Sequence, residues 1–252
     1  MPIASRRLIL LRHGQSQWNK ENRFTGWVDV PLSVEGEQEA RRAAQLIREA
    51  GLSPRAAFTS YLKRAIKTLW IALEELDLMY IPVGCSWRLN EKHYGNITGL
   101  NKAETADRFG EEQVKLWRRA YDVAPPPVPT DSPYHPACDP KYAHVPAPLL
   151  PATESLKDTI HRLLPYWQHE MAPRIQDAPG DYLVVAHGNS LRGLVKHLLG
   201  WDEARVLEFN LPTAIPYVLE LTEDLKVVYE SFLISQEELE KKMAEVAAQA
   251  KR

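Results

Sequence analysis

Leu8-Ile9-Leu10-Leu11-Arg12-His13-Gly14-Gln15-Ser16 is the stretch from which the rest of the chain can be read. Four apolar residues in succession predict a strand buried on both faces. The strand runs directly into a permanent cation, an imidazole and a glycine. Arg12 offers a planar fork of donors suited to phosphate or carboxylate. His13 can serve as a base, a metal ligand or a covalent nucleophile. Gly14 lets the backbone turn sharply and approach a ligand with no Cβ in the way. On these residues alone, a surface histidine after a strand is an equally open reading.

Two further junctions shift the balance. Val184-Val185-Ala186-His187-Gly188-Asn189-Ser190 repeats the design, an apolar strand ending in His-Gly before a helix-capable segment. Ala56-Ala57-Phe58-Thr59-Ser60 runs into Leu62-Lys63-Arg64-Ala65, which puts Arg64 in the first turn of a helix. A helix start also offers free backbone N–H groups and a favourable dipole to an anion. In open α/β sheets ligands bind outside the carboxyl ends of the strands. His13, Arg64 and His187 can therefore converge on one pocket despite their separation in sequence.

The 252 residues suit one large α/β domain or two small ones. A net charge of −2 argues against nucleic acid as a partner, so an anion site must be a local cluster of cations. Two cysteines, Cys85 and Cys138, make no disulfide framework and are expected to be reduced thiols in a cytoplasmic protein. Arg6-Arg7 followed by four apolar residues is too short for a signal peptide. No apolar run approaches the ~20 residues of a membrane span. No Asp or Glu cluster has metal-ligand spacing, so metal-free chemistry is expected.

Periodicity places the remaining elements. Residues 8–12 are the first strand and 16–30 a polar loop. Ser33 caps a helix through Ala40, Ala43, Ala44 and Ile47 that Gly51 ends. Residues 56–59 form a short strand, Leu62 to Leu73 a helix, and 81–87 a further strand. Residues 102–121 read as one helix. Ten of the nineteen prolines lie between Pro125 and Pro151, a density that no helix interior or central strand tolerates. Residues 122–152 are thus a long loop. Thr153 is expected to cap the next helix. The last core strand is 182–186, Ser190 to Leu199 the following helix, and 215–221 with 226–231 an edge hairpin. In the charged tail, 236–252, Leu239, Met243, Val246 and Ala250 form one helical stripe.

Arg12-His13-Gly14 with the later His187-Gly188 resembles the histidine phosphatase superfamily. Arg12 to Gly26, Leu89 to Lys102, Trp117-Arg118-Arg119 and Ala186 to Ser190 resemble more closely its cofactor-dependent phosphoglycerate mutases. The resemblance runs from Leu8 to about Leu221. It implies a three-layer α/β sandwich, with a mostly parallel central sheet flanked by helices. Residues 1–235 would form a single domain, with the tail 236–252 capping the active site.

The activity implied is interconversion of 3-phosphoglycerate and 2-phosphoglycerate through a phosphohistidine, primed by 2,3-bisphosphoglycerate and without metal. The partner is a small anionic phosphorylated substrate, with no nucleic acid and no membrane; a homodimer or homotetramer is implied. His13 would be the nucleophile and Glu91 the proton donor and acceptor. Arg12, Arg64 and a protonated His187 would surround the transferring phosphoryl group. Implied substrate contacts are Arg12, His13, Gly14, Gln15, Ser16, Gln17, Trp18 and Asn19, then Thr25, Gly26 and Arg64. Glu91, Lys92, His93 and Tyr94 follow, with Lys102, Arg118, Arg119, Gly188 and Asn189. Three positions depart from the family pattern: Gln15 for Glu, Lys92 for Arg and Ala214 for Gly. A phosphomonoesterase on the same fold, or a binding protein that has lost turnover, are the competing readings.

Overall fold

The computed structural model describes residues 5–251, and the side chains of residues 5–244. Four parallel strands make one side of a six-stranded sheet: β1 (Arg6–Arg12), β2 (Pro54–Thr59), β3 (Val83–Cys85) and β4 (Gly180–Ala186), in the order β3-β2-β4-β1 with β3 at the edge. An antiparallel hairpin, β5 (Tyr217–Leu221) and β6 (Val227–Phe232), extends the sheet beyond β1. The helices are α1 (Gln17–Lys20), α2 (Val34–Glu49), α3 (Lys63–Glu75), α4 (Lys102–Phe109) and α5 (Glu111–Arg119). They continue with α6 (Leu156–Tyr166), α7 (Ala172–Asp177), α8 (Gly188–Leu199), α9 (Glu203–Glu208) and α10 (Gln236–Lys251).

The apolar run that opens the chain is buried on both sides because alternate residues serve different layers. Leu8 and Leu10 pack with Leu163 of α6 and Leu191, Leu194 and Val195 of α8. Ile9 and Leu11 pack with Ala43 and Ile47 of α2 and Ala65 and Leu69 of α3. Each such aliphatic side chain is worth about 1.5–3 kcal/mol when fully buried. That burial holds β1 in the middle of the sheet. Among the described residues no helix is long and apolar enough to cross a membrane.

Several boundaries differ from the expectation. The strand expected at 81–87 is only Val83–Cys85, because Ser86 caps a 3₁₀ turn at Trp87–Leu89 that buries Trp87 and Leu89. The single helix expected over 102–121 is two: Gly110, at φ 86°, ends α4 and opens α5. Ser155, not Thr153, caps α6, exchanging hydrogen bonds with Asp158, while Thr153 Oγ1 donates to Pro125 O. The proline-rich loop is ordered in short 3₁₀ turns, and it buries Tyr142 and Val145 against Trp27 and Trp87. Of the tail stripe, Leu239 and Met243 line a groove with Trp201, Phe209 and Phe232. The side chains of Val246 and Ala250 lie outside the described residues.

Candidate active site

The site begins as a consequence of strand pairing. β1 and β4 are adjacent and parallel, with Arg12 opposite Ala186, so the residues that follow emerge side by side. His13 N donates to Ala186 O at 3.0 Å, and the rings of His13 and His187 stand 5.0 Å apart. β2 flanks β4, and Ser60, the residue after β2, lies 2.7 Å from His187 Nε2 through its hydroxyl. Arg64, from the first turn of α3, reaches the same point. Close backbone approach makes Gly14 obligatory: a Cβ there would sit 2.2 Å from Gly36 O.

Hydrogen bonds settle the proton on His13. Its Nδ1 lies 2.6 Å from Gly14 O, and a carbonyl can only accept, so Nδ1 carries the hydrogen. Nε2 is therefore a lone pair, and Arg64 Nε donates to it at 3.2 Å. The two Nη atoms of Arg64 donate to Val28 O and Gly26 O, which fixes the guanidinium. Burial, then Arg64 and Arg12, push the His13 pKa well below its ordinary value, so the imidazole is neutral and nucleophilic. His187 is pushed down likewise by burial, Arg64 and His13. In the ligand-free protein this disfavours the imidazolium that was expected around a transferring phosphoryl group.

Of the five buried side-chain polar atoms left without a partner among the described residues, three belong to this end of the site: Arg12 Nε, Thr25 Oγ1 and His187 Nδ1. An orphaned buried polar group costs about 1–3 kcal/mol. A tetrahedral oxyanion against His13 would satisfy such groups, so the donor set fits a phosphoryl group.

Glu91 follows the 3₁₀ turn after β3. Its Oε1 accepts from Lys92 N at 2.8 Å and from Asn189 N, in the first turn of α8, at 3.1 Å. The site opens into two adjoining chambers of about 70 and 130 Å³ that share Arg12, Asn19, Glu91, Tyr94 and Lys102. The inner chamber adds His13, Thr25, Gly26 and Arg64. The outer one adds Arg118, Arg119, Gly188, Asn189, Arg192 and Asn210. Asn19 accepts from Ser16 through Oδ1, which leaves its amide group to donate. Arg119 Nη1 donates to Asn210 Oδ1 at 2.8 Å. Burial, then Arg118 and Arg12, lower the Lys102 ammonium to about 7, and burial and Arg119 lower Arg192 to about 10. Such crowding of cations is relieved by an anionic ligand.

Other residues expected to touch substrate are committed elsewhere. Lys92 is fully buried; its Nζ donates to Trp117 O at 2.7 Å, and burial lowers it to about 8. His93 accepts from Gly95 N through Nδ1 and faces Tyr134 O through Nε2. Ser16 caps α1, whose Gln17 and Trp18 are outside the chamber walls, as is Gly14. Gln15 Oε1 accepts from Ser33 Oγ, and Gln15 N donates to Glu39 Oε2 at 2.7 Å, so a carboxylate remains beside this position. Ala214, at φ 51°, sits where a glycine would be unstrained, with its N–H on Arg12 O.

Arg192, Asn210 and Ser60 were not anticipated. Arg192 lies one helical turn beyond Gly188, a spacing that could have revealed it. Ser60 follows a strand end, the same signal that marks His13. Asn210 is in an irregular connection with no local signal. Among the described residues no group of three or more His, Cys, Asp or Glu side chains could hold a metal.

The family model of the histidine phosphatase superfamily (branch 1) matches residues 8–231. A 2,3-bisphosphoglycerate-dependent phosphoglycerate mutase of Parabacteroides distasonis is 53% identical over 245 residues, 97% of this chain and 98% of the relative. One from Bacteroides thetaiotaomicron is 53% identical over 247 residues, 98% of this chain and 99% of the relative. Among solved structures, a mycobacterial glucosyl-3-phosphoglycerate phosphatase complexed with VO3 superposes with a TM-score of 0.66 at 26% identity, covering 85% of this chain and 92% of that one.

Proposed function

Since the chain belongs to the histidine phosphatase superfamily, branch 1, we propose that it is a phosphoglycerate mutase that interconverts 3-phosphoglycerate and 2-phosphoglycerate through a phosphohistidine at His13. The observation that carries this reading beyond a phosphatase is the outer chamber. Simple phosphatases of the superfamily need not hold a second anionic group. Here Lys102, Arg118, Arg119 and Arg192 build a second cationic site next to the first, for the carboxylate or the phosphate that is not being transferred.

His13 Nε2 attacks phosphorus as the phosphorus–oxygen bond of the substrate breaks, and the leaving oxygen takes a proton from Glu91. In the return step Glu91 takes the hydroxyl proton and that oxygen attacks phosphorus, releasing His13. Arg12, Arg64 and His187 stabilise charge on the equatorial oxygens. His187 can do so while neutral: Ser60 Oγ accepts from Leu62 N, so its own hydrogen is available to His187 Nε2, and Nδ1 then carries the imidazole N–H. When bound, 2,3-bisphosphoglycerate supplies the phosphoryl group that primes His13. Arg12 and Arg64 would hold one of its phosphates, and Lys102, Arg118 and Arg119 the other. The proposed route uses no metal. The homo-oligomeric state, the cytoplasmic location and the capping role of α10 implied by the resemblance complete the proposal.

The test is to incubate the protein with labelled 2,3-bisphosphoglycerate, look for acid-labile phosphate on His13, and chase with 3-phosphoglycerate. Label should pass to 2-phosphoglycerate. Label released only as inorganic phosphate would make the protein a phosphatase, and no labelling of His13 would remove the mechanism.

A further inference from the structure

Behind Glu91, on the side away from the cavity, lies an ion pair that the chemistry above does not use. Arg162 of α6 and Glu154, just before that helix, are both buried, with Nε–Oε1 at 2.6 Å and Nη2–Oε2 at 3.0 Å. The other Arg162 donors go to one short segment: Nη1 to Arg88 O at 2.7 Å, and Nη2 to Asn90 O at 2.9 Å and Glu91 O at 2.8 Å. Glu154 grips the far end of that segment, since its Oε2 accepts from His93 N at 2.8 Å and its own N–H donates to His93 O at 2.9 Å. Trp27 Nε1 adds a 2.7 Å bond to Glu91 O, and the Arg162 guanidinium lies 5.3 Å from the Trp27 ring centroid.

We propose that the Arg162–Glu154 pair is the positioning device for the Glu91 carboxylate, holding residues 88–93 so that Glu91 faces the transferring oxygen. This rests on the reading of Glu91 as the proton-transfer group. A buried ion pair is weak evidence for stability, because desolvation offsets much of its attraction. The partners neutralise one another, so the pair adds no net charge to the site. What it supplies is geometry. Residues 88–93 are a 3₁₀ turn and a loop with no sheet ladder of their own, so their carbonyls need donors from elsewhere. Arg162 provides a rigid fork to three of them from a helix packed on the sheet core. Proton transfer is sensitive to displacements of a fraction of an ångström. Arg162 and Glu154 touch no reacting atom and act through Glu91.

The experiment is a double-mutant cycle on phosphoryl transfer from His13, with Arg162→Lys and Glu154→Gln each made alone and with Glu91→Gln. Glu91→Gln by itself tests the underlying reading: a wild-type transfer rate there would remove Glu91 from proton transfer, whatever the pair does. With Glu91→Gln slow, Arg162→Lys should lower kcat about 10–100-fold while KM stays within about threefold and the circular dichroism is retained. Lysine keeps the charge but cannot reach Arg88 O, Asn90 O and Glu154 together. In the Glu91→Gln background the same change should cost less than about threefold more, because the group being positioned is gone. A full, additive penalty in that background, a wild-type kcat for Arg162→Lys, or a loss confined to KM would overturn the proposal. If Arg162→Lys and Glu154→Gln do not fold, Trp27→Phe takes their place in the cycle. It removes one donor from Glu91 O and should show the same non-additivity with a smaller loss.

Discussion

The two ends of the cavity are built differently. At the inner end His13 and His187 stand on neighbouring strands of the sheet, and Arg64 is tied by three bonds to His13, Val28 and Gly26. At the outer end, apart from Arg192 of α8, which packs on the sheet, the cations named above ride on helices away from it. Lys102 opens α4, and Arg118 and Arg119 close α5, with the glycine at 110 between the two helices. Those helices rest on a small cluster of Phe24, Ile97, Val114 and Trp117 rather than on the main core. Arg119 is held by the side chain of Asn210. The two histidines follow strands of the sheet, whereas Lys102, Arg118 and Arg119 are carried by helices that pack on a separate small cluster. Variation at the outer end should therefore change which anion binds, and variation at the inner end whether anything reacts.

The largest test of that contrast is His13→Ala. It should lower mutase flux by at least about a thousandfold with the fold intact by circular dichroism, since a covalent catalyst is lost. Residual flux above that level would detach the chemistry from the inner end. Next is Arg119→Gln, which removes one charged donor from the outer end. A hydrogen bond to a charged group is worth about 1.5–3 kcal/mol, so KM should rise about 10–100-fold with labelling of His13 by a saturating donor retained. A loss of labelling instead would show that the two ends are not separable.

Lys102 gives a pH-dependent version. Its ammonium, lowered to about 7 in the ligand-free protein, must be raised by a bound anion, so binding takes up a proton above pH 7. Affinity is therefore fully developed below pH 7 and falls as pH rises, by up to about tenfold per unit. KM measured from pH 6.5 to 9 should climb in the wild type and be nearly flat in Lys102→Met; a flat wild-type profile would remove Lys102 from the binding site. The smallest effect is expected for Lys92→Arg. The resemblance made Lys92 a substrate contact, which an arginine would have strengthened. Its Nζ is instead bonded to Trp117 O behind the chambers, so KM should stay within about twofold. A marked tightening would restore it to the cavity wall.

Much of this was legible along the chain because strand and helix periodicity are local. The alternation of Leu8 and Leu10 with Ile9 and Leu11 serves two helix layers, as a continuous apolar strand should. The strand-end histidines and the helix-start arginine lie where a parallel sheet puts its ligands. The break at Gly110 and the shift of the cap from Thr153 to Ser155 were not legible, because the choice depended on packing and on which backbone group needed Thr153. Lys92 and His93 were misplaced for the same reason: neighbours in sequence of Glu91, they point to different surroundings from the one it faces.

By itself, then, the amino-acid sequence determined the α/β class, the His-Gly strand ends and the arginines and lysines from which a local anion site can be built, while the mostly parallel sheet was implied by the family resemblance. Apart from the sheet's parallel order, these follow from side-chain periodicity and from the chemistry of single residue types. Only the tertiary structure decided that β4 lies beside β1, which brings His13 and His187 within 5.0 Å although their positions in the chain are far apart. It also decided which nitrogen of His13 is free, that burial and neighbouring cations push the His187 pKa down, and that Arg162 and Glu154 stand behind Glu91. Those properties depend on desolvation and on the direction of hydrogen bonds between distant segments, and neither is carried by local sequence.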